Sequence, residues 1–228
     1  MVFVALLVLA VEGVLLVRHY GLYYGADAAS AGSAASSAPA FERTMPGGTA
    51  SAGDSPSTAD GAAFVHRATD GNSRGDYTYL SDPRIDGDPG AVVIAEPSGP
   101  YGRNIGVWYE PERRKWAIFN QDMAAVPAGS SFEVVVPPAD EGFVHRAAQD
   151  NTAGNATYLD DPLTNGRPNA EVSVAQNWNP GGGAGVYNGH PVGVRYDGDA
   201  GRWVVYNEDD APMPEGAAFN VAVPGEAG

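Results

Sequence analysis

Short segments of alternating apolar and polar residues run from about residue 63 towards the end of the chain, separated by turns rich in glycine, proline and aspartate. A period of two residues is typical of β-strands that bury one face. In the first half the pattern predicts strands at 64–69, 77–80, 91–95, 105–109, 116–120 and 132–136. The segment at 116–120 is apolar on both faces, which favours a central place in its sheet.

The pattern of the first half is repeated in the second. Phe-Val-His-Arg-Ala at 64–68 recurs 79 positions later at 143–147, and the residues that follow recur with it. Further along the chain the offset becomes 87, because the second half carries eight extra residues within 176–190. The sequence therefore predicts an all-β fold with two tandem antiparallel β-sandwich or barrel domains, at 63–138 and 142–228.

The N-terminal segment predicts a membrane anchor. An apolar run is broken by Glu12 and Gly13, and a helix over residues 1–25 is long enough to cross a bilayer. A cleavage site at 26–28, which would release the protein, is the alternative. Residues 26–62 are mostly Ala, Ser, Gly, Pro and Thr, which predicts a flexible linker. We therefore expect a membrane-anchored, extracytoplasmic protein on the cell surface.

Composition excludes several classes of function. The 228 residues carry a net charge of −15, which repels nucleic acids and anionic lipid headgroups. The chain has no cysteine, so disulfides and thiolate metal sites are excluded. The sequence contains no nucleophile–base pair or metal triad at a recognisable spacing, so we expect a protein that is not an enzyme and needs no cofactor.

Repeated polar and aromatic positions are predicted to support the fold. These positions are His66 and His145, Arg67 and Arg146, Trp116 and Trp203, and Asp122 and Asp209. The histidines alternate with valine and arginine in their strands, which favours a hydrogen-bonded structural histidine over a metal ligand or general base. For the arginines we expect structural ion pairs with repeated acids, either Asp82 and Asp161 or Asp122 and Asp209.

Acidic turns raise the question of calcium binding. Asp-Gly sequences occur at 70–71, 86–87 and 197–198, and calcium prefers clustered carboxylate and carbonyl oxygens. These turns do not complete an EF-hand loop, and Asp86 corresponds to Asn165 in the second half. We therefore expect these aspartates to form turns, with calcium as the alternative.

The inserted loop of the second half is the strongest candidate for ligand binding. Its aromatic faces and directional polar groups belong to Asn177, Trp178, Asn179, Tyr187, Asn188 and His190. Such a set suits sugars, because their C–H faces stack on aromatic rings while their hydroxyls bond to amides. The alternative is a self-packed loop whose Trp178 closes the end of the domain.

Several motifs together resemble a bacterial family of domains of unknown function. They are FVHRA at 143–147, TYL-x-DP at 157–162, NG-x-P-x-A at 165–170, QNWNPGGGAGVYNGHPVGV-x-Y at 176–196, W-x-x-x-N-x-D at 203–209 and MP-x-G-x-x-FNV at 213–221. The resemblance covers both halves and is closest in the second. It implies an extracellular all-β module that occurs in one or several copies in exported and cell-surface proteins, and it implies no known activity.

Three functions remain open. The first is an adhesion module that binds a polysaccharide or a surface protein, with two domains on one anchor raising avidity. The second is a structural spacer or a self-assembling filament subunit without a ligand of its own. The third and least supported is a hydrolase.

Overall fold

The computed structural model describes residues 62–225, and within them the chain is all-β, without an α-helix. The strands form four antiparallel sheets, and none of the sheets closes into a barrel. We call residues 62–138 the first half and 142–225 the second half. The all-β prediction is confirmed.

The first half contains two sheets. Its strands are β1 (Ala62–Arg67), β2 (Ser73–Arg74), β3 (Tyr77–Tyr79), β4 (Ile94–Pro97), β5 (Ile105–Glu110), β6 (Lys115–Asn120) and β7 (Ser131–Val136). One sheet has the order β1-β7-β4 and the other β2-β3-β6-β5. The predicted strand at 91–95 begins later, at Ile94, because residues 88–91 form a hydrogen-bonded turn first.

The second half has the same strand order. Its elements are β8 (Gly142–Arg146), β9 (Thr152–Ala153), β10 (Ala156–Tyr158), β11 (Ser173–Gln176), a 3-10 turn (Pro180–Gly182), β12 (Val192–Asp197), β13 (Arg202–Asn207) and β14 (Ala218–Ala222). The sheets are β11-β14-β8 and β12-β13-β10-β9. β4, β5 and β6 of the first half therefore correspond to β11, β12 and β13.

Each half has its own apolar core. Trp116 and Phe132 are fully buried in the first, and Phe219 is fully buried in the second. The first core also contains Ala175 and Ala222 from the second half, so the two halves bury apolar surface against each other. β6 lies between β3 and β5, as the apolar faces at 116–120 predict.

The two repeated histidines join the two sheets of their own halves. His66 Nε2 lies 2.8 Å from Thr78 Oγ1, and His145 Nε2 lies 2.7 Å from Thr157 Oγ1. Both histidines are buried, and burial lowers the pKa of each, in His145 to about 4. A neutral imidazole that bonds a threonine suits a structural position.

The repeated aspartates bond groups other than the Arg67 and Arg146 side chains. Asp82 pairs with Arg84 at 2.7 Å, Asp122 with Arg103 and Asp209 with His190 at 2.7 Å. Asp161 accepts the backbone N–H of Leu163 at 2.9 Å. Arg146 instead donates to the carbonyl of Pro180 at 3.2 Å, and Arg67 lies exposed at the end of β1. Local turn geometry brings Arg84 to Asp82, two residues away, which sequence spacing alone does not reveal.

The predicted membrane anchor at 1–25 and nearly all of the linker at 26–62 lie outside the described residues. Within 62–225 there is no helix long and apolar enough to cross a bilayer.

Candidate functional site

The inserted loop begins by covering the outer edge of β5 in the first half. Asn177 forms a parallel bridge with Val107, and the backbone N–H of Trp178 donates to the Val107 carbonyl at 2.9 Å. The Asn179 side chain continues the pairing by accepting from the Tyr109 N–H and donating to the Tyr109 carbonyl, both at 2.8 Å. Residues 177–179, which we call the Asn-Trp-Asn segment, therefore act as a short additional strand on this sheet.

The asparagines of the loop are buried and bond within the protein. Asn177 Nδ2 donates to Asn220 Oδ1 at 2.8 Å, and Asn220 Nδ2 donates to the Val93 carbonyl at 2.9 Å. Asn188 Nδ2 donates to Asn207 Oδ1 at 2.9 Å. Asn177, Asn179 and Asn188 are 1%, 2% and 4% exposed. The amides that the sequence assigns to a ligand are therefore turned inward and engaged at the junction between the halves or in the second core.

The aromatic side chains of the loop face outward and join a larger set. Trp178 packs edge-to-face against Trp108 at 6.1 Å, Trp108 against Tyr77 at 5.5 Å, and Tyr77 against Tyr79 at 5.2 Å, all between ring centroids. All four rings are half-buried. Tyr187, 41% exposed, lies 6.5 Å from the Phe119 ring. The aromatic surface is defined as Tyr77, Tyr79, Trp108, Phe119, Trp178 and Tyr187.

Strand alternation explains why these rings share one face. Trp108 lies between the buried Val107 and Tyr109 in β5, so its ring points away from the core. Phe119 in β6 pairs with Tyr77 of β3 on one side and with Gly106 of β5 on the other. A Cβ on Gly106 would lie 2.7 Å from the Phe119 ring, so a glycine is needed here for that ring to lie flat across the strand.

Polar groups flank the aromatic surface at its β3 end. The Tyr79 hydroxyl bonds the Glu110 carboxylate and lies 3.4 Å from the Tyr77 hydroxyl. The Arg113 guanidinium lies 5.1 Å from the Tyr79 ring centroid and 3.4 Å from Glu110. Burial and the carboxylate raise the pKa of Tyr79, so this hydroxyl stays protonated. The rim therefore offers one anion, one cation and two hydroxyls.

The pocket beneath Trp178 is too small for a sugar. Its volume is about 10 Å³, which is room for a single water molecule. It is lined by Phe119, Gln176, Asn177, Trp178, Val186, Tyr187, Asn188 and Ala218. Asn188 Oδ1 is buried without a hydrogen-bond partner among residues 62–225. A ligand larger than a water molecule does not fit in this pocket.

The His190 side chain bonds Asp209. Its Nδ1 lies 2.7 Å from Asp209 Oδ2, and both side chains are largely exposed. The hydrogen bond from His190 lowers the pKa of Asp209. In the first half, Arg103 and Asp122 form the equivalent pair. The repeated arrangement of an arginine or histidine with a turn aspartate indicates a structural role.

The acidic turns use their carboxylates locally. Asp88 Oδ1 accepts the Gly90 N–H at 2.9 Å, and Asp197 Oδ1 accepts the N–H groups of Asp199 and Ala200 at 3.0 and 3.1 Å. Asp86 bonds Lys115. In the part of the chain that the structure describes, three or more His, Cys, Asp or Glu side chains do not come together in a way that could hold a metal ion.

Sequence reasoning did not single out Tyr77, Tyr79 or Trp108 as site residues. A signal for two of them exists in the repeat, because Tyr77 and Trp108 correspond to Ala156 and Arg195 in the second half. Because the second half has alanine and arginine at these positions, large aromatic side chains are not needed there to fill the core. Aromatic residues at such positions are free to serve a surface role.

The comparisons with known proteins place the chain in a family without assigning it an activity. Neither the curated proteins nor the solved structures contain a match. The family described as "Domain of unknown function (DUF7452)" matches residues 106–223. That range runs from β5 to the end of β14 and includes both sides of the junction between the halves. Because the match covers more than half of the sequence, the chain belongs to the DUF7452 family.

Proposed function

We propose that this protein is an extracytoplasmic adhesion module that binds a neutral polysaccharide on the aromatic surface. The observation that carries the proposal is the unbroken run of half-buried rings from Tyr79 through Tyr77 and Trp108 to Trp178. Rings at this spacing present apolar area to the C–H faces of successive sugars, and each contact contributes about 1 kcal/mol. Tyrosine hydroxyls and the Glu110 carboxylate at the rim supply partners for sugar hydroxyls.

Shape and charge favour an extended, uncharged chain as the ligand. The small pocket lined by Trp178 and Tyr187 holds no more than a water, so a single sugar buried there is disfavoured. The net charge of −15 repels anionic polysaccharides at low ionic strength. A neutral polysaccharide that lies across β5 and β3 is the ligand class that satisfies both conditions.

The proposed arrangement of the whole chain is based on the sequence. Two copies of one β-sandwich-like unit would be held off a membrane by the anchor at 1–25 and the linker at 26–62. The aromatic surface combines four rings of the first half with Trp178 and Tyr187 of the inserted loop. The described second half has no matching surface, because Ala156 and Arg195 replace Tyr77 and Trp108 there. Each chain then carries one site, and avidity would come from neighbouring chains on the same surface rather than from the two halves.

A structural spacer is the second candidate function, and the buried hydrogen bonds between the two halves favour it. The Asn-Trp-Asn segment and Asn220 fasten the halves together through hydrogen bonds of buried groups, which suits a stiff rod. On this alternative the aromatic rings only complete the packing between the halves, and no carbohydrate binds.

Titration of the full chain with soluble neutral and anionic polysaccharides, followed by calorimetry, tests the proposal. Trp108→Ala should weaken binding of a neutral polysaccharide about tenfold, which is about 1.4 kcal/mol. Arg195→Ala changes the equivalent outward position of the second half and should leave affinity unchanged. Absence of binding across the panel, or equal losses in both variants, would contradict a site on the aromatic surface and favour the spacer.

A further inference from the structure

The four rings that carry the proposed carbohydrate site do not lie in one plane. The plane of the Tyr77 ring is inclined by 76° to that of Tyr79 and by 86° to that of Trp108. The planes of Trp108 and Trp178 differ by 74°. Each ring therefore stands nearly perpendicular to its neighbour along the run, and the four rings do not form a single flat platform.

Strand pairing and the Asn-Trp-Asn segment hold the rings in these orientations. Tyr79 of β3 and Trp108 of β5 both pair with Ala117 of the central strand β6, and Ala117 is fully buried beside them. The backbone N–H of Trp178 donates to the Val107 carbonyl at 2.9 Å, so this ring is also tied to the sheet. Edge-to-face contact is itself a favourable arrangement of two rings. The surface is therefore preorganised, and a ligand has to match the ring planes as they stand.

The two middle rings of the run, Tyr77 and Trp108, take part in every perpendicular step. Their counterparts in the second half are Ala156 and Arg195, so an equivalent sheet forms without them. Tyr79 differs from them, because its counterpart in the second half is also a tyrosine that bonds a carboxylate. Substituting a middle ring therefore changes the sequence of ring planes without removing a part of the repeated framework.

Neutral polysaccharides differ in how the faces of successive sugars are oriented. In a flat ribbon such as cellulose, the C–H faces of successive glucose units are parallel, so they stack best on rings that share one plane. In a twisted chain such as laminarin, each glucose unit is rotated relative to the one before it. Glucose carries its ring hydroxyls equatorially and has C–H groups on both faces, so every rotated unit still offers an apolar face. Ring planes that change direction at each step match the twisted chain, because a C–H face stacks only on a ring parallel to it.

We propose that the aromatic surface binds neutral glucans with a twisted backbone in preference to flat ribbons. The inference rests on the carbohydrate function proposed above and specifies the ligand class for the same site. Successive glucose units of a twisted chain would meet rings whose planes turn with them, from Trp178 through Trp108 to Tyr77. A flat ribbon would lie parallel to no more than one of any two neighbouring rings, so it would lose at least every second stacking contact.

The test compares laminarihexaose and cellohexaose, which contain the same number of glucose units and differ only in their linkage, by calorimetry on the full chain. We expect laminarihexaose to bind about tenfold more tightly, because it keeps the stacking contacts that the flat chain loses. Equal or tighter binding of cellohexaose would overturn the selectivity and leave the carbohydrate function intact. If neither hexasaccharide binds while a polysaccharide of the wider panel does, the glucan selectivity is wrong and the carbohydrate function stands. If no polysaccharide binds, both proposals fail.

A protein variant tests whether the ring planes cause the preference. Tyr77→Ala introduces the residue that the second half has at the equivalent position, and it should reduce the affinity for laminarihexaose about fivefold or more while cellohexaose is affected less. Val65→Ala, at a 68% exposed position in the other sheet of the first half, is the control and should leave both affinities unchanged. A full preference for laminarihexaose in Tyr77→Ala would contradict the proposal. The comparison of the two hexasaccharides on the unaltered chain keeps the test decisive if this variant fails to fold.

Discussion

Acid should destabilise this protein well above the pH at which its carboxylates titrate, because two histidines are buried as neutral groups. In the first half, Thr78 Oγ1 donates to Asn72 Oδ1 at 3.2 Å, and in the second Thr157 Oγ1 donates to Asn151 Oδ1 at 3.0 Å. Each threonine proton is thereby used, so each threonine accepts from the Nε2–H of His66 or His145. The other ring nitrogen then carries no proton, and protonating it places a charge in a buried site.

The magnitude follows from the pKa of His145. Burial lowers that pKa from 6.5 to about 4, so between these values the unfolded chain binds a proton that the folded protein does not. Stability therefore falls as pH decreases from 6.5 to 4, and by linkage the loss is about 3 kcal/mol for this histidine alone. His66, whose pKa is also lowered by burial, adds a loss of the same sign.

Titration of carboxylates does not account for a loss of stability between pH 6.5 and 4. The pKa values of Asp82, Asp197 and Asp209 are lowered from 3.8, so their stabilisation is lost mainly below that value. Burial raises the pKa of Asp76, so the folded protein binds its proton more tightly and a small opposite contribution is expected as the pH falls towards 4. A decrease in stability between pH 6.5 and 4 therefore reports the histidines.

The assay is urea unfolding of the full chain at pH 7, 6, 5 and 4, followed by tryptophan fluorescence. The double variant His66→Gln and His145→Gln keeps a neutral N–H donor in each strand and should unfold with a nearly flat pH dependence over this range. A wild-type free energy of unfolding that is constant from pH 7 to 4 would refute the reasoning. So would a double variant that keeps the wild-type slope.

Two further predictions concern the junction and the cores. Asn179→Ala removes both side-chain hydrogen bonds to the buried Tyr109 and should lower the free energy of unfolding by about 1–3 kcal/mol. The control Asn165→Ala, at an exposed asparagine, should change it by less than about 0.5 kcal/mol. Trp116→Ala should cost about 3–5 kcal/mol, and Trp203→Ala measurably less because Trp203 is half-buried. Denaturant unfolding measures all four variants, and equal costs at the two tryptophans would contradict the asymmetric burial of the halves.

Local pattern was sufficient to predict most of the strands of the first half. Period-two alternation, with turn residues between segments, predicted an all-β chain, and β5 and β6 lie within one residue of their predicted bounds. The two-residue strand β2 was not predicted, since a segment that short carries no measurable period. Period-two alternation depends only on residues close together in the chain, which is why a single sequence is enough to detect it.

The tertiary structure determines which partners the side chains of the inserted loop contact. The sequence identified Asn177, Asn179 and Asn188 as directional polar groups, but it did not reveal that their partners would be Asn220, Tyr109 and Asn207. Asn179 and Tyr109 are 70 positions apart, so no local pattern links them. The aromatic surface is equally non-local, because it brings rings from β3, β5 and β6 together with two from the loop.

By itself, the sequence determined which segments are strands, how the pattern of one half recurs in the other, and which residue types are available for binding. Only the tertiary structure decided which of those side chains face solvent. Alternation specifies two faces for every strand, but the packing of the second half onto β5 determines that Val107 is sealed while Val194 is half-exposed. Equivalent residues in similar strands thus acquire different environments, because burial depends on what packs against a strand as well as on the strand itself.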